Sequence, residues 1–88
     1  MSVIKKKTTP EDFKLVLSGV KKFEIRVADF ELKEGDTVVL EEWDPVKKKY
    51  TGKSISRKVG YIHRFPLDKY GQRKLIEKHG LLVFSLED

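Results

Sequence analysis

Across residues 9–27 the apolar period of the chain switches from helical to alternating, and the switch falls on one glycine, Gly19. Before it, Phe13, Val16 and Leu17 lie at helical spacing and form a stripe that can be buried. Thr9 is placed to cap the helix and Pro10 suits its first position. Glu11 and Asp12 complement its positive end. Gly19 is the natural stop. After it, Phe23, Ile25 and Val27 alternate with Lys22, Glu24 and Arg26, as side chains do on a strand. The first set can feed a core. The second is a row of alternating charge launched from a glycine hinge. It is either the solvated face of a two-sided strand, with side-chain pairs of small worth, or a row that faces a ligand.

The rest of the chain adds further strand patterns. Ser2 to Thr8 reads as a short strand with a lysine-rich end. Glu31 to Asp36 is a turn in which Gly35 supplies a positive φ. Thr37 to Trp43 is rich in β-branched residues and apolar on both faces, which predicts an inner strand of a sheet partly covered on each side. Asp44-Pro45 ends it, and Lys47 to Gly52 forms a basic hairpin loop. Lys53 to Phe65 is the longest strand pattern, with a bend expected at Gly60. Pro66 to Lys78 reads as a second helix, weakened by Gly71 and stopped by Gly80. Leu81 to Leu86 is a closing strand. The order β-α-β-β-β-α-β predicts one α+β domain over residues 1–88. Its five strands and two short helices suit a bent mixed sheet or a small open barrel.

Composition narrows the function classes. With 88 residues there is room for one core. There is no cysteine, and His63 and His79 are isolated, so neither a metal site nor another cofactor is expected. No apolar run approaches the roughly 20 residues of a membrane span, and the lysines near the N-terminus precede no apolar stretch of the signal-peptide kind. A cytoplasmic protein without a membrane partner is the expectation. The net charge of +5 is uneven: residues 29–44 hold 7 acidic side chains and 1 basic, residues 45–79 hold 11 basic and 2 acidic. A basic part beside an acidic one suits a polyanion met by one face. Equally, the lysines can serve solubility alone.

Ser18-Gly19-Val20-Lys21-Lys22-Phe23-Glu24-Ile25-Arg26 resembles the Gly-x-Lys-x-x-x-x-Arg signature of the ASCH superfamily of small PUA-like domains. Gly35-Asp36, Leu40, Glu42-Trp43-Asp44-Pro45, Tyr50-Thr51-Gly52, Val59 and Tyr61-Ile62 are similar to an ASCH-like subfamily. The resemblance covers most of the chain and is weakest over 63–80. It implies a PUA-like open barrel that binds RNA in a cleft beside the first helix. Lys21, Glu24 and Arg26 would carry that site, with Lys22 beside them and Trp43 and Tyr61 as neighbours. Lys47, Lys48 and Lys49 would meet phosphates from the loop.

Some ASCH proteins are amidohydrolases that deacylate cytidine through a Gly-x-Lys-Thr-x-Thr-x-Arg motif, so a small nucleoside is a second ligand class. Here Lys22 and Glu24 stand at the two threonine positions. A carboxylate does not form the same ester intermediate. An enzyme built on Lys21 and Glu24 would need Glu24 as general base on water. A third possibility is a protein-interaction module whose acidic 29–44 segment meets a basic partner.

Overall fold

A computed structural model describes residues 1–87. Its elements are β1 (Val3–Thr8), α1 (Pro10–Leu17), β2 (Thr37–Asp44), β3 (Lys49–Lys58) and α2 (Arg73–His79). The three strands form one mixed sheet of order β1-β2-β3, parallel between β1 and β2 and antiparallel between β2 and β3. β2 is therefore the inner strand, as its double-sided apolar pattern predicts. A parallel pair needs a crossover, and α1 lies within it.

The helix forms for local reasons. The Thr9 hydroxyl oxygen accepts from the Asp12 N–H at 3.2 Å, and Pro10 begins the first turn. Gly19, at φ +83°, ends it in the left-handed region. Phe13 and Val16 turn inward onto Leu40 of β2 and Ile55 of β3, with Val38 packed against them. In the register, Leu40 lies opposite Ile55, and Lys6 of β1 is its parallel partner. Even-numbered positions of β2 thus face α1, and odd-numbered ones face away.

A second organising residue sits at the bottom of the sheet. Asp36 is buried, and its two carboxylate oxygens accept from the Ser2 and Lys33 N–H groups, each at 2.9 Å. Its carbonyl accepts from Val59 at 2.7 Å, while the Gly35 N–H donates to the Val59 carbonyl at 2.8 Å. The Gly35-Asp36 turn therefore ties the start of β1 to the end of β3.

The sheet is mixed, as expected, but open and three-stranded among the described residues, where five strands in a bent mixed sheet or a small open barrel were expected. Residues 22–27 are outside it. Their alternation supplies two side-chain rows, but a strand also requires a ladder partner, and among the described residues they have none. Ile25 and Val27 are accordingly 61% and 78% exposed. Residues 81–86 likewise join no ladder. β3 starts earlier and stops sooner than its pattern suggested, ending before Gly60. The irregularity of the β2–β3 pairing lies instead between Glu41 and Trp43, where Thr51-Gly52-Lys53 bulge opposite Glu42 with Gly52 at φ +92°. The second helix is confined to Arg73–His79, because the stretch before it, with Gly71 at φ +72°, is a turn. Among the described residues no helix is long and apolar enough to cross a membrane.

Candidate functional site

The reversal at Gly19 brings the chain back along α1. The Lys21 N–H donates to the Leu15 carbonyl at 2.9 Å, which fixes where its side chain starts. Lys21 Nζ then lies 3.3 Å from Asp12 Oδ1 and 3.7 Å from Glu24 Oε1, with only 17% of the side chain exposed. Arg26 donates through Nε to Glu24 Oε2 at 3.1 Å, and its Nη2 is also 3.1 Å away. The result is a row, Asp12–Lys21–Glu24–Arg26, of two cations and two anions. Beside it runs an open groove of about 430 Å³, walled by Leu15, Val20, Phe23 and Ile25 with Leu81 and Val83 across from them.

Of the residues the signature singled out, Lys21 lines this groove, and Glu24 and Arg26 continue the ion-paired row beside it. Its charges compensate one another, so a phosphate entering it would have to displace a carboxylate from each cation. Glu24 is clamped as well: Lys21 faces one oxygen and Arg26 the other. Glu24 stays solvent-exposed as an ion-pair partner, and the geometry by itself assigns it no role as a general base. Lys22 is exposed and outside the row.

A different cluster forms at the β2–β3 hairpin. Asp44 Oδ1 accepts from the Val46 N–H at 2.9 Å and the Lys47 N–H at 3.1 Å, folding the connection into a tight turn. The Lys47 hydrogen bond is the main cause that holds the Asp44 carboxyl below its usual pKa. The Val46 hydrogen bond and the charges of Lys47 and Lys49 act in the same direction. Lys48 closes the turn in the left-handed region, at φ +53°. Lys49 is already in β3, paired with Asp44, rather than on the loop as the sequence suggested. All three lysines are exposed, and none forms an ion pair within 4 Å among the described residues.

The Glu42-Trp43-Asp44-Pro45 motif explains itself by strand parity. Glu42 is buried toward α1 and accepts from the Thr51 hydroxyl at 2.8 Å. Trp43 points to the opposite face, away from the groove, so it is not a neighbour of Lys21. There Tyr50 meets it edge-on, with centroids 4.9 Å apart, and Lys7 Nζ lies 3.7 Å above its ring. A notch of about 330 Å³ opens beside Tyr50, walled by Asp44, Lys47, Lys49 and Thr51. Tyr61 does not join either cluster. It is exposed, and its hydroxyl is 3.2 Å from His63 Nδ1.

Lys7 and Tyr50 join this cluster without having been among the candidates read from the sequence. Tyr50 was visible as the residue flanking three lysines. Lys7 was not, because only the parallel register of β1 on β2 places it beside Trp43. Among the described residues no three His, Asp or Glu side chains converge as a metal site would need.

Residues 4–72 match the family model described as a domain of unknown function, DUF3850. No protein of curated function and no solved structure matches the chain.

Proposed function

We propose that this chain, which belongs to the DUF3850 family, is a cytoplasmic RNA-binding module of the PUA-like kind found in the ASCH superfamily. The observation that carries this reading is the contrast between its two clusters of cations. Lys21 and Arg26 are spent on Asp12 and Glu24. Lys47, Lys48 and Lys49 are exposed and free of carboxylate partners within 4 Å among the described residues, on the hairpin that also carries Trp43 and Tyr50. Unpaired lysines beside aromatic rings suit a phosphate backbone with accessible bases.

The kinship with PUA-like domains is supported by the groove. The residues of the Gly19, Lys21 and Arg26 signature meet beside the first helix, which is where such domains hold their ligands. The groove's neutral charge balance suits an uncharged polar group, and the hairpin suits phosphates.

The test is fluorescence anisotropy with short labelled RNAs over a range of salt. Affinity is expected at low salt and should fall steeply as salt rises. In the triple variant Lys47→Ala/Lys48→Ala/Lys49→Ala, affinity should drop by about tenfold or more. The logarithmic salt slope should shrink by about 2, since each phosphate contact on a single strand contributes roughly 0.7. No binding at low salt would overturn the proposal. Unchanged binding by the triple variant would remove the hairpin from it.

A further inference from the structure

The RNA-binding reading leaves open what form of RNA is bound, and the sheet face opposite α1 bears on that. The inference below rests on that reading. The far face carries Lys5 and Lys7 from β1, Val39, Glu41 and Trp43 from β2, and Tyr50, Ser54, Ser56 and Lys58 from β3. The core of Phe13, Val16, Leu40 and Ile55 lies on the other side. Glu41 is the one acid among these far-face positions, against three lysines, and the hairpin adds Lys47, Lys48 and Lys49 at one end.

At that end Tyr50 is 49% exposed although it is held in a fixed pose. It sits directly opposite Trp43 in the antiparallel register, and the edge-on contact at 4.9 Å sets its ring angle. Lys7 Nζ lies 5.9 Å from the Tyr50 centroid on the far face, and on the other side of the ring Lys47 and Lys49, with Asp44 and Thr51, wall the notch. An immobilised, half-exposed ring with cations on two sides costs little further ordering when a flat ligand stacks on it. The notch, about 330 Å³ and open to solvent, leaves room beside the ring for a stacked group.

The geometry points to Tyr50 as a stacking platform for an unpaired base of single-stranded RNA, with Lys7 and the Lys47/Lys49 pair taking the phosphates on either side. Bases inside a duplex present no free face to such a ring, so the platform selects single strands. Trp43 orients Tyr50 and lies within range to sense the bound base.

The experiment uses the full chain and labelled oligo(A), oligo(U) and a blunt A·U duplex of about ten nucleotides, within the site sizes of roughly 4–16 usual for single-strand binders. Trp43 is the only tryptophan, so its emission should change as oligo(A) saturates the protein. Tyr50→Ala should weaken oligo(A) binding by roughly 5- to 100-fold, Tyr50→Phe should stay within about twofold, and duplex binding should be insensitive to both. If oligo(A) binds wild type but Tyr50→Ala binds it equally well, the platform is wrong and the RNA-binding reading stands. A silent Trp43 at saturation overturns the platform even where Tyr50→Ala fails to fold. If wild type binds none of the three RNAs at low salt, the RNA reading fails and the platform with it.

Discussion

Asp36 and Asp44 are both turn carboxylates with depressed pKa values, yet they accept hydrogen bonds in different ways. Asp36 uses one oxygen for Ser2 and the other for Lys33, and these backbone hydrogen bonds are the main cause of its lowered pKa, with the charges of the N-terminus and Lys33 acting in the same direction. Asp44 takes both of its donors on Oδ1. A carboxyl whose folded pKa is depressed stabilises the fold above its ordinary value, here 3.8, and that stability is lost as pH falls through the lower folded value. Acid should therefore weaken the domain below about pH 4, with Asp36 and Asp44 both contributing. Asparagine keeps one acceptor oxygen. Asp44→Asn can still serve both donors and should lower the melting temperature at neutral pH only slightly. Asp36→Asn turns an NH₂ group toward one backbone N–H and should lower it clearly. In both variants the stability curve should be flatter than wild type between about pH 4 and 2. Melting curves followed by circular dichroism from pH 2 to 7 check this. An Asp36→Asn curve that parallels wild type across the acid range would show that Asp36 is not a source of the pH dependence.

At the scale of elements, α1 and its exit position the groove, and both rest on Gly19. No atom lies within 4 Å of where a Cβ would stand on that glycine, so an alanine there would meet no clash. Its cost would be conformational, since φ is +83°. Gly19→Ala should cost about 1–2 kcal/mol, lowering the melting temperature of a domain this size by roughly 4–16 °C. It should also loosen Lys21 from Asp12, which ¹⁵N-detected titration of the lysine amines would register. A loss of stability without a change at Lys21 would separate the turn from the groove. This helix was legible in the sequence because its signals are local: Thr9, Pro10 and Gly19 each act on backbone groups close by in the chain. β1 and β2 were legible from their β-branched and alternating residues, whereas the loop read at Lys47–Gly52 proved to be a turn at 45–48, with β3 already begun at Lys49. The parallel register of β1 on β2 was not legible, because it joins residues far apart in sequence, and with it went the place of Lys7. The two expected strands at 22–27 and 81–86 failed for the converse reason. Alternation describes side chains, but a ladder is made by a partner's backbone.

The whole molecule is built unevenly. Phe13, Val16, Leu40 and Ile55 make one small core between α1 and the sheet, whereas α2 buries no residue. Tyr61, Tyr70, Leu82 and Phe84 are largely exposed. The radius of gyration, 14.8 Å, exceeds the value of about 12 Å usual for a compact domain of this length. Local stability should follow the same division, because amides open most readily where few apolar contacts hold them. Hydrogen exchange is expected to be slowest at Val38–Glu42 and at their ladder partners in β1 and β3. It should be fast over 22–27 and 61–87. RNA at saturation should slow exchange in the hairpin and in β1 around Lys7 while leaving 81–86 fast. The result that would overturn this picture is protection at 22–27 and 81–86 comparable to that at Leu40. Those two segments already meet at the groove, where Phe23 and Ile25 face Leu81 and Val83, so such protection would mean that they pair and that the sheet closes to five strands. The groove would then be the mouth of a barrel, and the compensated charges at Lys21, Glu24 and Arg26 would become its floor.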